Sequence, residues 1–210
     1  MIYIIMAGGQ YDDFTKHKAL TEVNGEPLIA RTTRLLKQFK VDYLITVNEG
    51  NDVFEKYGKT VKRPNSYRIK GQRVQGWWVD AFYKTDSPVC YLFGDVYYTE
   101  HGLKEIIDHR PTCNTLYGTI NRRLKNWEEP MAYKVVDIKA FFEGIERVKE
   151  LYSLGMCNRH PIVWELYRVL NGIPVNEHIL MPESYHNIPD GGMDIDYLAE
   201  VEKVERYYSK

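Results

Sequence analysis

Short apolar runs alternate with amphipathic helical patterns along most of this chain, and this alternation restricts the fold more than any other feature. Residues 2–6, IYIIM, form the first apolar run, which predicts a buried strand. Residues 27–39, PLIARTTRLLKQF, then carry apolar side chains at helical spacing. Further strands are predicted at 41–48, 88–98, 113–120 and 131–138, and further helices at 101–110, 138–154, 161–172 and the C-terminal segment. This order predicts an α/β fold, namely a three-layer α/β/α sandwich with a mostly parallel, Rossmann-like sheet.

The composition limits the classes of partner and compartment. The length of 210 residues predicts one domain, 1–210, in which 60–75 is irregular and basic. The net charge of -1 gives no basic field that would attract nucleic acid. No apolar run approaches about 18 residues, so no membrane span is expected. Three cysteines without metal-ligand spacing favour a reducing compartment, so we expect a cytoplasmic protein. Its oligomeric state stays open, with a homo-oligomer as one possibility.

Two glycines follow the first predicted strand directly, in Ala7-Gly8-Gly9. In open α/β sheets, ligands bind at the edge where the parallel strands end, here called the carboxyl edge. Glycine lets the backbone approach a ligand closely, and consecutive N–H groups can point at phosphate oxygens. A tight turn after the strand is the simpler alternative. The segment AGGQYDDFTKHKAL matches neither GxxxxGK[ST] nor GxGxxG, which excludes the two commonest phosphate loops.

A longer pattern is more specific. IIMAGGQYDDFTKHKALTEVNGEPLIARTTRLLKQF resembles the opening of the nucleotidyltransferases with a GT-A-like fold. These include sugar-nucleotide pyrophosphorylases, molybdenum-cofactor guanylyltransferases and phosphocholine cytidylyltransferases. The matching features are the Ala-Gly-Gly turn, Lys18, Leu20 and the segment VNGEPLI.

The resemblance implies roles for the residues around the glycine turn. Lys18 would be the catalytic residue that stabilises charge on the phosphates. The nucleotide-binding residues would be Ala7, Gly8, Gly9, Lys16, Lys18 and Asp95. The family's usual loop arginine is missing, and Asp12 and Asp13 stand in the loop instead. Lys16 is then the residue that would supply the missing positive charge.

Two carboxylates are candidates for holding Mg²⁺, which prefers oxygen ligands. Asp95 follows the apolar run in YLFGDVYY, although a Gly-Asp turn is the alternative. The ending GGMDIDYLAEVEKVERYY resembles the C-terminal family motif that supplies the other metal ligand. Aligned on the following helix, Asp196 takes that place and Asp194 the flanking acidic one. Helix N-capping is the alternative for Asp196.

The resemblance also implies two halves, a nucleotide-binding half of about 1–110 and an acceptor-binding half of about 111–210. In the second half, Lys134 stands where family members carry a phosphate-binding lysine on a late strand. Arg122, in NRRLKNW, could bind an acidic acceptor, and Asp194 belongs to the same candidate group. A surface lysine and a solvated loop are the plainer interpretations of Lys134 and Arg122.

Taken together, the resemblance implies a Mg²⁺-dependent nucleotidyltransferase. Such an enzyme joins an NTP to a phosphorylated small-molecule acceptor and releases pyrophosphate. CTP is favoured because the DID of 194–196 resembles the EID of cytidylyltransferases. Sugar-1-phosphate or molybdopterin as acceptor stays open. A GT-A glycosyltransferase is a second alternative, weakened because Asp95 is not part of a DxD motif, and a degenerate nucleotide-binding protein without activity is a third.

Overall fold

The computed structural model describes residues 1–8, 17–48, 52–63, 66–69, 72–75, 78–120 and 127–208. Its strands are β1 Ile2–Met6, β2 Glu22–Val23, β3 Glu26–Pro27, β4 Tyr43–Asn48, β5 Thr60–Arg63, β6 Ser66–Ile69, β7 Gln72–Gln75, β8 Val89–Phe93, β9 Val96–Tyr98, β10 Thr115–Thr119, β11 Glu129–Val135, β12 Tyr185–Asn187 and β13 Gly192–Asp194. Its α-helices are α1 Leu28–Gln38, α2 Glu100–Asp108, α3 Ile138–Ser153, α4 Val163–Leu170 and α5 Leu198–Tyr208. Within these ranges, none of the helices combines the length and the apolar character that crossing a bilayer requires.

One large sheet runs through the described part of the chain in the order β12-β10-β11-β8-β1-β4-β5. β1 pairs in parallel with both β4 and β8, β4 pairs in parallel with β5, and β10 with β12. β11 is antiparallel to its two neighbours, β8 and β10. The prediction of an α/β fold with a mostly parallel sheet is therefore confirmed. The late strands β10, β11 and β12 lie on one side of β8 and the early strands β1, β4 and β5 on the other, so the sheet joins the two parts of the sequence.

The apolar core lies along this sheet. Ile4 and Ile5 of β1 are fully buried, as the continuous apolar run at 2–6 predicts. α1 buries one stripe of its surface, which consists of Leu28, Ile29, Thr32, Thr33, Leu35 and Leu36. A smaller cluster lies under α5 and contains Val23, Leu28, Tyr97, Met193, Ile195 and Val204. The C-terminal helix is thus fixed to β2, β9 and β13, which lie outside the large sheet, by its own apolar contacts.

A tight hairpin in the segment VNGEP supports this arrangement. Asn24 and Gly25 adopt φ angles of 51° and 75°, the positive values that a two-residue type I′ turn requires and that Asn-Gly favours. The turn connects β2 and β3, after which Pro27 precedes the first residue of α1. The Asn24 N–H donates to Glu205 Oε1 of α5 over 2.7 Å, which links the hairpin to the C-terminal helix.

Two predicted segments differ from the structure. Residues 60–75, expected to be irregular, contain β5, β6 and β7, whose mixture of basic and apolar residues hides the strand pattern. The strand predicted within 88–98, with its end at Gly94-Asp95, is β8, and a second short strand that was not predicted, β9, follows the break. At this break the Gly94 N–H donates to the Met6 carbonyl oxygen over 3.1 Å. A Cβ atom on Gly94 would lie 2.4 Å from that oxygen, so the close approach to β1 requires glycine.

The start of α2 depends on another close approach. Gly102 lies so near the turn before β13 that an added Cβ would stand 1.9 Å from the Gly191 carbonyl oxygen. We expect Gly102→Ala to lower the melting temperature, because overpacking costs about 1–3 kcal/mol and outweighs the roughly 1 kcal/mol gained in helix propensity. Thermal unfolding followed by circular dichroism measures the change.

Gly144→Ala in α3 is the matched control for this substitution. It gains the same helix propensity, but its nearest contact is Leu170 Cδ2, the end of a flexible side chain, at 2.7 Å. We expect a smaller loss or none. Equal melting temperatures for the two variants would contradict a rigid backbone contact between α2 and the turn at Gly191.

Candidate functional site

Lys18 lies at the centre of the candidate site. It begins a short 3-10 turn, Lys18–Leu20, and is only 2% exposed. Its Nζ donates to Asp95 Oδ2 and to Asp196 Oδ1, both over 2.9 Å. These partners are 77 and 178 residues away along the chain. The structure therefore brings together the three residues that the sequence singled out as catalytic and metal-binding.

The backbone aligns the two aspartates. β9 and β13 are antiparallel, with Val96 opposite Asp194. One residue beyond this pair, the Ile195 N–H donates to the Asp95 carbonyl oxygen over 3.0 Å. Asp95 and Asp196 thus lie on adjacent segments that are held by main-chain hydrogen bonds. The side chain of Ile195 is fully buried in the cluster under α5, which fixes the position of the acids on either side of it.

A further carboxylate, missed by the sequence analysis, extends the site. Glu129, the first residue of β11, is 4% exposed. One carboxylate oxygen from each of Glu129, Asp194 and Asp196 lies within 4.8 Å of the other two. Because β11 runs antiparallel to β8, its first residue lies at the carboxyl edge, beside the end of β8. The strand predicted from the sequence begins at Met131 and leaves Glu129 outside it, and the position of Glu129 becomes informative only when the start and direction of β11 are known.

Asp95, Asp194, Asp196 and Glu129 are here called the acidic cluster, and their charges and that of Lys18 influence one another. Burial opposes the charged form of Lys18, but the attraction of Asp95, Asp194 and Asp196 outweighs it and holds the pKa of Lys18 above its ordinary value. Burial, followed by repulsion from Asp95 and Asp196, raises the pKa of Asp194 well above the ordinary range. Lys18 therefore stays an ammonium, whereas the ionised form of Asp194 is disfavoured.

The cluster fits a divalent cation. The Oδ1 atom of Asp194 is buried and, within the described residues, has no hydrogen-bond partner. The candidate ligand atoms are carboxylate oxygens, which Mg²⁺ prefers. The four carboxyl groups of the cluster also outnumber its one ammonium group, that of Lys18. A cation beside Asp194 and Asp196 would satisfy the buried oxygen and offset the repulsion between the acids.

Comparison with known proteins adds information on the fold. No family model matches the sequence, and no curated protein matches it. The structure is similar to the inositol-1-phosphate CTP transferase from T. maritima, with a TM-score of 0.60 at 15% identity over 100% of this chain and 95% of that chain. It is also similar to a putative glucose-1-phosphate thymidylyltransferase from Bacillus anthracis, with a TM-score of 0.58 at 15% identity over 99% and 95%. The chain has the nucleotidyltransferase fold.

A third similar structure is the 4-diphosphocytidyl-2C-methyl-D-erythritol synthase from Anaerococcus prevotii. Its TM-score is 0.54 at 12% identity, and the match covers 100% of this chain and 98% of that one. The likeness in all three cases extends over nearly the whole length of both chains.

The start of α5 distinguishes the two interpretations of Asp196. Glu200 Oε2 accepts the N–H groups of Asp196 and Tyr197, over 2.7 and 3.1 Å. Glu200 therefore supplies the cap of this helix terminus, in the manner of a glutamate that reaches back one turn. The Asp196 carboxylate binds Lys18, which is the arrangement expected of a site residue.

The structure describes only Ala7 and Gly8 of the glycine turn. The Ala7 N–H donates to the Thr46 carbonyl oxygen over 2.9 Å, so this amide belongs to the sheet and is not available to a phosphate. The Gly8 carbonyl oxygen accepts from Asn48 Nδ2 over 3.0 Å. Gly9 and Lys16 lie outside the described residues. Nucleotide binding by Ala7, Gly8 and Gly9 stays a prediction, in which the Ala7 N–H takes no part because it is bonded to Thr46.

The expectation for Lys134 is also corrected. Lys134 is fully buried and pairs with Cys90, near the start of β8, at the edge opposite Asp95. Its Nζ donates to the His109 carbonyl oxygen over 2.6 Å and to the Ile107 carbonyl oxygen over 3.3 Å. The lysine thus stabilises the C-terminal end of α2, where cations are favoured, and lies away from the acidic cluster. Arg122 lies outside the described residues.

The raised pKa of Asp194 predicts a stability change in metal-free protein. We expect Asp194→Asn to raise the melting temperature at neutral pH, because asparagine keeps the shape but never ionises. The folded parent holds a proton that the unfolded chain releases, so its stability falls as the pH rises above the ordinary aspartate range. The gain from the variant should vanish below about pH 3, where the carboxyl is protonated in both states because the ordinary aspartate pKa is about 3.9.

Thermal unfolding in EDTA across a pH series tests this expectation. Asp86→Asn, at an exposed position, is the control and should leave the pH profile of the parent unchanged. A melting temperature for Asp194→Asn that is lower than that of the parent at neutral pH would contradict the unfavourable ionisation of Asp194. A gain that is the same at every pH would contradict the electrostatic cause.

Proposed function

We propose that this protein is a Mg²⁺-dependent nucleotidyltransferase that joins an NTP, with CTP favoured, to a phosphorylated small-molecule acceptor. The observation that carries the proposal is the buried Lys18 ammonium between Asp95 and Asp196 at the carboxyl edge of the sheet. Ligands bind at this edge in open α/β sheets. The names of two similar structures, a CTP transferase and a diphosphocytidyl synthase, support both the reaction class and the preference for CTP.

The proposed reaction is a displacement at phosphorus. A phosphate oxygen of the acceptor attacks the α-phosphorus of the NTP, and the bond from this phosphorus to the bridging oxygen of the β-phosphate breaks. Pyrophosphate leaves with that oxygen. No covalent enzyme intermediate is needed, and the attacking phosphate oxygen is already ionised near neutral pH. The protein contributes positioning and charge stabilisation, which account for most of catalysis in phosphoryl transfer.

Each residue of the cluster has a role in this scheme. Lys18 would offer its ammonium to the phosphates, where charge develops as the bond breaks. Asp95 and Asp196 would hold the cation, and Asp194 and Glu129 lie close enough to complete or orient its oxygen ligands. When bound, Mg²⁺ would neutralise charge on the triphosphate and orient it for in-line attack.

A pyrophosphate-release assay tests the proposal. We expect release from CTP in the presence of Mg²⁺ and a phosphorylated acceptor, with a panel that includes sugar-1-phosphates, inositol phosphate and phosphocholine. CTP should also protect against thermal unfolding more than GTP, UTP or ATP, since a ligand at about 100 times its Kd stabilises by roughly 2.7 kcal/mol. Transfer of a sugar from a sugar nucleotide without pyrophosphate release would favour a glycosyltransferase instead.

Lys18→Ala is the variant for this assay. It removes the ammonium from between the carboxylates, and kcat should fall by about 10²-fold or more, the scale for loss of one preorganised charge-stabilising group. Lys62→Ala is the matched control, because Lys62 forms an exposed ion pair with Asp52. A parental kcat for Lys18→Ala with an unchanged circular dichroism spectrum would refute the catalytic role.

The two carboxylates at the start of α5 allow a separation of function from stability. Asp196→Asn should lower activity, and added Mg²⁺ should restore part of it, because one ligand charge is lost while the shape remains. Glu200→Gln should lower the melting temperature, because the charged acceptor of two N–H groups becomes a neutral one. Activity at several Mg²⁺ concentrations and thermal unfolding are measured on both variants.

A different result for Asp196→Asn would contradict its role as a metal ligand. If Asp196→Asn lowers the melting temperature and keeps the parental dependence of activity on Mg²⁺, then Asp196 is a structural residue. The cation would in that case have to be held by other members of the acidic cluster.

A further inference from the structure

The pairing between β8 and β11 stops just before the acidic cluster. The last pair of this antiparallel ladder is Leu92 opposite Ala132, and Phe93 and Met131 are the next residues along the two strands. On its other side, β11 is irregular at the same place, because its register with β10 shifts by one residue and skips Met131. Bulges often lie next to active sites, where they end pairing or re-aim a side chain. Met131 thus marks the point where β11 leaves the regular sheet.

The hydroxyl of Tyr98 lies at this point. Tyr98 is the last residue of β9 and is fully buried. Its hydroxyl oxygen lies 2.5 Å from the Met131 carbonyl oxygen and 3.2 Å from the Phe93 carbonyl oxygen. Because a hydroxyl carries one proton, the shorter contact, to Met131, is the principal hydrogen bond. One side chain therefore contacts both strands at the place where they stop pairing with each other.

Both of these strand ends lead to the acidic cluster. Asp95 comes two residues after one contacted carbonyl group, and Glu129 comes two residues before the other. β9 also pairs with β13, and Tyr98 is two residues from the position that lies opposite Asp194. The Tyr98 hydroxyl is thus a common contact of the segments that carry the carboxylates.

The hydroxyl acts through its hydrogen bonds and adds no charge to the cluster. Burial is the largest cause that raises the pKa of Tyr98 well above its ordinary value, and the negative charges of Asp95 and Asp194 act in the same direction. The group therefore stays a neutral donor beside the carboxylates.

We propose that Tyr98 is a positioning residue of the cation site, whose hydroxyl holds the ends of β8 and β11 at the separation that Asp95 and Glu129 need to bind one ion. The inference rests on the proposed function, because the acidic cluster has to hold the cation. Mg²⁺ demands near-octahedral oxygen ligands at about 2.0–2.1 Å, so a small shift of one strand end weakens binding. Tyr98 acts through the backbone of the two strands and does not touch the ion.

Tyr98→Phe tests the inference, because it removes the hydroxyl and keeps the ring. In metal-free, full-length protein, hydrogen exchange is followed by mass spectrometry. We expect faster exchange of the amides of 93–96 and 128–132, since the two strand ends lose their common contact. Circular dichroism below the melting temperature verifies that the variant is folded.

Tyr91→Phe is the matched control. Tyr91 is also fully buried on β8, and its hydroxyl also donates to a carbonyl oxygen, that of Tyr83, over 2.5 Å. It lies within the paired part of the ladder, opposite Tyr133. Both variants lose one buried hydrogen bond, so both should have a lower melting temperature, but Tyr91→Phe should keep the parental exchange of 93–96 and 128–132.

Binding of Mn²⁺ to the same three proteins measures the effect on the cation site. Mn²⁺ suits the same oxygen ligands as Mg²⁺, and its free form is counted by electron paramagnetic resonance. Tyr98→Phe should weaken the Kd for Mn²⁺ by about tenfold, the lower end of the range of about 10–100-fold for residues that orient metal ligands. The Mg²⁺ concentration for half-maximal pyrophosphate release should rise by a similar factor. Tyr91→Phe should keep both parental values.

The contrary results separate this inference from the proposed function. Parental exchange or parental Mn²⁺ affinity in Tyr98→Phe would overturn the role of the hydroxyl and leave the proposed function standing. Equal weakening of Mn²⁺ binding in Tyr91→Phe would overturn it as well, because a general loosening of the core would then be the cause. Absence of Mn²⁺ binding by the parent would overturn the cation site of the proposed function and this inference together.

Discussion

The buried ammonium of Lys18 is the interaction on which the arrangement of the carboxyl edge depends. A lysine that is 2% exposed needs compensation for its charge, because burial of an unpaired charge is very costly, and here two carboxylates supply it. Its partners Asp95 and Asp196 belong to the end of the central strand and to the start of the C-terminal helix. One side chain therefore ties together three segments that are distant in sequence, and each of them must be in place before the charge is compensated.

Main-chain hydrogen bonds supply the precision that the side chains need. Gly94 donates to Met6, which joins the end of β8 to the end of β1, and Ile195 donates to Asp95, which places the last acidic segment beside the first. The apolar side chains packed around Ile195 keep this second hydrogen bond in place. Site residues on such rigid elements keep their positions better than residues on loops. The same reasoning explains why a glycine is needed at position 94, where any Cβ would push the two strands apart.

The resemblance to the nucleotidyltransferases singled out Lys18 and Asp196, and Asp95 was marked by its position after a predicted strand. The structure brings these three side chains together at the carboxyl edge. The direction of β11 could not be predicted in this way. Because this strand is antiparallel to β8, its first residue, Glu129, reaches the carboxyl edge, whereas Lys134 lies near the opposite edge and stabilises α2. The same property thus explains both the missed residue and the wrong expectation. Neither can be read from periodicity, which gives the faces of a strand but not its orientation.

The acidic cluster is costly to the folded protein in the absence of a cation, and this cost has a functional meaning. Burial, together with repulsion from Asp95 and Asp196 that Lys18 offsets only in part, raises the pKa of Asp194 and suppresses its ionisation. Metal ligands must be deprotonated, so binding of the proposed divalent cation would release the proton that Asp194 retains. The repulsion that lowers stability would also favour binding of that cation at this edge of the sheet. A fully satisfied cluster would be more stable but would have no reason to bind one, which is the usual conflict between stability and function at a site of concentrated charge.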